Sequence, residues 1–220
     1  MKILALEFSS PRRSVAVVES GDGANPVVLG SATETGGRNT QAIGLVEAAL
    51  SQAGMEREAI ECLAVGIGPG SYTGIRAAIS LAQGWQLARG VKLLGVSSVE
   101  CLAVQAQAEA IHGQVSCVID AQRNEFYLAT YEVSSREVRF IEPLRLVNAE
   151  TVRVKGGGGR LIGPEPSPLL PGLVNVFPTA AVLGTLAACR TDFIPGEALE
   201  PIYLRETNFV KAPPPRFIPE

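Results

Sequence analysis

The residues best placed to do chemistry are the run Gly66-Ile67-Gly68-Pro69-Gly70-Ser71-Tyr72-Thr73-Gly74-Ile75-Arg76. Glycines let the backbone turn sharply and come close to whatever lies above it. Pro69 stiffens one point of the loop. An apolar strand over 62–65 feeds into it, and a helix rich in small residues, about 75–89, leaves it. The start of such a helix aims free backbone N–H groups at the loop and suits an anion. Two readings stay open here: a phosphate-binding loop, or a strand-to-helix turn whose glycines serve close packing. Glu7 and Asp120 each end a strand beside a polar turn. Carboxylates there can handle metal-bound phosphate or water, or they can accept backbone N–H bonds and hold the turn. The candidate nucleotide contacts are Glu7, Ser9, Gly68, Gly70, Ser71 and Thr73.

Other chemistries find little material. His112 is the single histidine, at a polar helix end beside Gly113. One imidazole and scattered cysteines do not build a transition-metal site. Ser9, Ser10, Ser14, Ser71 and Thr73 have no evident activating base, and a hydroxyl of ordinary acidity is a poor nucleophile. Cys62, Cys101, Cys117 and Cys189 form no Cys-x-x-Cys pair and read as small buried hydrophobes of a reducing compartment.

The elements that must position these residues alternate strands with helices. Strands are expected over 3–6, 14–19 and 27–35, then a helix over about 40–53 with Ile43, Val46, Ala49, Leu50 and Ala53 on one face. Gly54 stops that helix and Gly90 the next. A strand over 92–96 precedes a helix running to about residue 110, capped by Ser97 with Glu100 completing a capping box. Strands over 115–120 and 126–132 flank a polar turn, and they repeat the opening pattern of strand, acidic residue, turn and strand. Further short strands are expected over 138–154, irregular connections over 156–159 and 164–178, and a last helix over 179–190 capped by Thr179. The prolines 213–215 read as loose tail.

The chain has 220 residues, 46% hydrophobic and 19% charged, enough for one or two small domains with a real core. No apolar stretch approaches the ~20 residues that span a bilayer, and strand-like sequence begins at once, so a cytoplasmic protein is expected. The net charge of −3, with basic residues scattered, argues against strong nucleic-acid binding by this chain alone. The 75–89 helix carries apolar residues on more than one face, which a single sheet would not cover. Trp85 is the lone tryptophan, a residue type frequent among interface anchors. Packing within its own domain is the competing account of that helix.

Four segments resemble the bacterial TsaB (YeaZ) family in the family's order: residues 1–10, the glycine loop 66–76, residues 95–100 and Pro201-Ile202-Tyr203-Leu204-Arg205. The resemblance covers nearly the whole chain, and the glycine loop and the 201–205 segment are its most specific parts. It implies an α/β actin-like, sugar-kinase-like (ASKHA) fold of two related mixed-sheet domains, the second reduced. Residues 1–99 would form the first and 100–220 the second, with the C-terminal segment packing back on the first. It implies a non-catalytic partner of TsaD, the subunit that transfers a threonylcarbamoyl group to the tRNA adenosine next to the anticodon. A TsaE-type ATPase would join the same complex, tRNA would be met indirectly, and the TsaD-binding surface would also serve a homodimer. Candidate interface residues are Ile43, Val46, Leu50, Ile75, Ile79 and Trp85. TsaD holds a metal with a His-x-x-x-His pair; the matching region, 38–43, has no histidine, and Asn39 stands where many relatives have His. The segment Asp120-Ala121-Gln122-Arg123 departs from the family's Asp-Ala-Arg by placing Gln122 at the arginine's position. No cofactor is expected beyond weak ATP or ADP binding. The rival reading is an ATP-binding ASKHA-fold phosphotransferase or hydrolase acting alone.

Overall fold

The computed structural model describes residues 1–21, 25–36 and 41–204. Asn39, Arg205 and the proline tail lie outside them. Two five-stranded sheets form the frame. The first contains β1 (Lys2–Glu7), β2 (Arg12–Glu19), β3 (Val27–Thr35), β4 (Cys62–Gly66) and β5 (Lys92–Val96), ordered β3-β2-β1-β4-β5. The second contains β6 (Gly113–Asp120), β7 (Glu125–Val133), β8 (Val138–Asn148), β9 (Arg160–Gly163) and β10 (Val174–Asn175), ordered β8-β7-β6-β9-β10. In each sheet the first two neighbours of the series pair antiparallel and the leading strand runs parallel to the fourth. The hairpin repeat read from the sequence therefore extends to two entire sheets of one topology.

Helices complete the pattern: α1 (Ala42–Ala53), α2 (Tyr72–Arg89), α3 (Ser98–Ala108), α4 (Ala149–Gly156) and α5 (Ala180–Ala188). α1 follows β3 as α4 follows β8. α2 joins β4 to β5, whereas β9 and β10 are joined without a helix, and this is what makes the second half smaller.

β1 and β4 are central, so both faces are buried and their sequences read as continuous apolar runs. Leu4, Leu6, Leu63 and Val65 face α1 and α2. Ile3, Ala5, Cys62 and Ala64 face α5 on the opposite side. α3 leaves the first sheet and packs chiefly on the second, against Val115, Cys117, Ile119 and Ala129. α5, which follows the second sheet in the chain, thus covers the free face of the first.

Three local expectations are corrected. Residues 149–156 form α4 rather than a strand: Asn148 caps it, its Oδ1 accepting the Thr151 N–H at 2.9 Å. The valines at 152 and 154 mimic strand alternation, but only Val152 is buried. The stretch 164–178, expected to be irregular, contains the two-residue β10 paired with β9. The Ser97–Glu100 capping box does not form; Ser97 makes no side-chain cap bond, and both Glu100 oxygens accept from Arg190 at 2.8 Å.

Candidate functional site

Segments 1–10, 66–76, 95–100 and 201–204 meet at the carboxyl end of β1. Glu7 ends that strand with its side chain fully buried. Its Oε1 accepts the Ser9 N–H at 2.8 Å and its Oε2 accepts the Ser98 hydroxyl at 3.0 Å. Burial pushes the Glu7 carboxyl up, against the lowering effect of these hydrogen bonds. The Ser71 N–H donates to the Ser9 carbonyl at 2.7 Å, the Ser98 N–H to the Gly68 carbonyl at 2.8 Å, and the Ile202 N–H to the Ile67 carbonyl at 2.9 Å.

The loop glycines are explained by this convergence. Gly70 has φ +149°, and a Cβ there would sit 2.2 Å from the Ser9 carbonyl oxygen. A Cβ on Gly74 would sit 2.0 Å from the Phe8 carbonyl oxygen. The chain leaving β1 therefore lies directly against the loop and the start of α2, which is the close-packing reading. Ser71 caps α2, its Oγ accepting the Gly74 N–H at 3.3 Å.

Of the six nucleotide candidates, Ser9, Gly70 and Ser71 line a cleft between the two sheets. Glu7 and Gly68 are buried beneath it and present no surface to a ligand, which corrects the reading of them as contacts. Thr73 is exposed and lies outside the cleft's lining.

The cleft has a volume of about 1100 Å³. Tyr72, Arg76 and Tyr203 form one wall. The Arg76 guanidinium lies 4.1 Å from the Tyr72 ring centre, its Nε donates to the Tyr203 hydroxyl at 3.2 Å, and the two rings stack at 5.9 Å. The two most specific segments of the resemblance are thus clasped together. Their aromatic residues carried no role in the sequence reading, although both tyrosines stood in plain view within those segments.

The facing wall comes from the ends of β6 and β9. Asp120 Oδ1 accepts the Gln122 N–H at 2.7 Å, repeating the bond Glu7 makes to Ser9. Gln122, Arg123 and Asn124 all hold left-handed backbone, φ +65°, +59° and +61°. Such residues cost on the order of 1 kcal/mol or more each, a cost the surrounding structure must offset. Glu165 stands near Asp120; partial desolvation, then the Asp120 charge, push its carboxyl up. Among the described residues no group of three or more His, Cys, Asp and Glu side chains is placed to hold a metal ion.

A second feature lies on the outer face of the first half. Ile75, Ile79 and Leu50 belong to the core beneath α1 and α2, with Ile79 only 6% exposed. This corrects their expected place at an interface, because a side chain that fills the protein's own core has little surface left for a partner. Ile43, 54% exposed, the half-buried Trp85 and Val46, which is buried at the floor of the groove between the helices, remain. With Leu81, Gly84 and Ala88 they line an apolar groove of about 370 Å³ between the two helices, flanked by Arg57, Glu58 and Arg89. A Cβ on Gly84 would meet nothing within 4 Å.

The remaining candidates stand apart from both features. His112 is exposed. Cys62, Cys101 and Cys117 are buried, and burial pushes the Cys62 thiol up to about 12. Cys189 is exposed, correcting its expected burial. It follows the end of α5 rather than lying within it. Among the described residues no helix is long and apolar enough to cross a membrane.

Comparison with known proteins adds the following. The family model described as TsaD, tRNA N6-adenosine threonylcarbamoyltransferase, matches residues 38–154. The tRNA threonylcarbamoyladenosine biosynthesis protein TsaB of Escherichia coli K12 is 32% identical over 132 residues, covering 60% of this chain and 55% of that protein. The protein of the same name from Haemophilus influenzae is 29% identical over 130 residues, 59% of this chain and 53% of that protein. The match therefore spans about half the length of these curated relatives. A solved structure, YeaZ from Pseudomonas aeruginosa, superposes with a TM-score of 0.75 at 28% identity, covering 92% of this chain and 99% of that one.

Proposed function

The chain belongs to the TsaB (YeaZ) family, with a TsaD-type domain and an α/β two-part actin-like fold; from that premise we propose that it is a non-catalytic scaffold in tRNA threonylcarbamoyladenosine synthesis. It docks a TsaD-type catalytic subunit through the groove between α1 and α2 and supports threonylcarbamoyl transfer to the adenosine beside the anticodon. A TsaE-type ATPase acts in the same complex, tRNA is held mainly by the partners, and the same groove pairs two copies when the partner is absent.

One observation carries this reading. The inner faces of α1 and α2 complete the chain's own core, yet their outer faces still present Ile43, Leu81 and Trp85 around an unfilled glycine position. An apolar groove with charged residues at its edge has the make-up of a protein interface. Ile43→Glu alters an exposed position, so the variant stays folded. In light scattering with a TsaD-type subunit it forms no complex where the parent chain does. A complex of unchanged size and affinity would sink the docking surface.

The ATP-using enzyme keeps one favourable observation, the cleft at the strand ends. The burial of Glu7 and the pairing of the Ile67 and Ser71 amides within the chain weigh against it. Calorimetry with ATP and magnesium separates the two readings: turnover by this chain alone would favour the enzyme.

A further inference from the structure

At the amino ends of β9 and β10, away from the cleft, Arg160 and Val174 line a pocket of about 410 Å³. The last turns of α4 and residues 170–172 of the β9–β10 connection bound its other sides. β9 begins here and delivers Pro164 to the cleft at its far end. The pocket shares no lining residue with the cleft or with the α1/α2 groove.

Its charged groups are two arginines, Arg153 and Arg160, and among the described residues neither forms an ion pair. Lys155 of the same helix is engaged by Glu142, which also takes Arg145, so that carboxylate is committed. The Arg153 Nε donates to the Leu169 carbonyl at 3.0 Å. This bond fixes the guanidinium against the connection and leaves its terminal N–H groups for a ligand. Two like charges in one pocket oppose each other, and an anion between them relieves that cost. The glycines 156–159 are not themselves the cradle. A Cβ on Gly159 would sit 2.6 Å from the Gln114 carbonyl oxygen, and one on Gly156 2.8 Å from Leu161 Cδ1. Their role is to bring the end of α4 close to the sheet, which places the arginines on either side of them in one pocket.

The rest of the lining is largely apolar. Leu161 and Leu170 are buried, and Val174 is 41% exposed. A bare inorganic anion would satisfy the arginines and leave this surface wet. A ligand with an anionic head and an apolar body meets both.

We infer that this pocket binds a small organic oxyanion, its carboxylate or phosphate held by Arg153 and Arg160 and its apolar body laid on Leu161, Leu170 and Val174. Both heads offer paired oxygens to a guanidinium, so the two sources share one chemistry. The site stands whether or not a partner docks between α1 and α2.

The test is titration calorimetry of the full chain with octanoate and, separately, with hexyl phosphate; inorganic phosphate is the control. The chain binds at least one organic probe, and the tighter one identifies the head. Inorganic phosphate binds at least about ten-fold more weakly, because it lacks the apolar body. Arg160→Gln weakens the organic probe about ten-fold or more, the loss of a charge-assisted hydrogen bond. It keeps the parent melting temperature, since the residue is exposed. Arg160→Lys retains part of the affinity, because the charge remains without the fork. Failure of both organic probes to bind at millimolar concentration overturns the inference. So does an affinity indifferent to Arg160→Gln, because the probe then sits elsewhere, as octanoate in the α1/α2 groove would. Inorganic phosphate binding as tightly as hexyl phosphate also overturns it, since the apolar wall would then hold nothing.

Discussion

Gly84→Gln asks the outer face of α2 for two opposite responses. Gly84 sits inside a helix, and nothing within 4 Å would touch a Cβ placed there. Glycine in a helix interior is about 1 kcal/mol worse than alanine, and glutamine is a good helix former, so the isolated chain gains about 0.5 kcal/mol. For a chain of this size that raises the melting temperature by about 1–2 °C. Docking responds the other way. A partner backbone fitted against a bare Cα meets a four-atom side chain, and overfilling a packed contact costs about 1–3 kcal/mol. Affinity for a TsaD-type subunit falls about ten-fold or more. Differential scanning calorimetry reads the first effect and titration calorimetry the second. Higher stability with unchanged affinity would refute the docking reasoning; a lower melting temperature would refute the open face itself.

Gly74→Ala is the internal contrast, since its Cβ would lie 2.0 Å from the Phe8 carbonyl oxygen; denaturant unfolding registers a loss of about 2 kcal/mol or more. Ile79→Ala empties a core position and costs about 2–4 kcal/mol, whereas Ile43→Ala stays within about 0.5 kcal/mol in the same assay. Glu7 has its carboxyl raised in the folded state, so folding retains its proton longer than the unfolded chain does. Stability from this group is present below the ordinary carboxylate range and declines as pH rises through it toward the raised value; Glu7→Gln flattens that part of the stability–pH curve, measured by urea midpoints. In native protein Cys189 alone of the four cysteines reacts promptly with a thiol reagent, and the other three appear only on denaturation.

Much of the first half was legible because its signals are local. β3 and β5 occupy the expected residues, and Gly54 and Gly90 adopt the left-handed caps expected of them. The second half was less so. Its α4 is short, its apolar positions alternate, and β9 hides behind four glycines, so the period reads wrongly over so few residues. At the site, the glycine loop was legible but its spacing left two readings open, a phosphate cradle and close packing, and the structure shows the second. Glycine spacing cannot say whether a ligand or the protein's own backbone comes close, and here Ser9 and Phe8 do. For the same cause Ile75 and Ile79 were placed outside: helical periodicity shows that a face is apolar, not which neighbour covers it. The Tyr72–Arg76–Tyr203 clasp joins positions 127 residues apart along the chain, a proximity no local pattern carries.

The seat of α5 on the first sheet has a mechanical meaning. This helix comes from the far end of the chain, so the first half severed from the second would leave one face of its sheet bare. A molecule cleaved between them would stay in one piece and melt in one step. The walls of the cleft are then jaws on a stiff frame rather than two lobes on a tether, and a guest must fit the opening it finds.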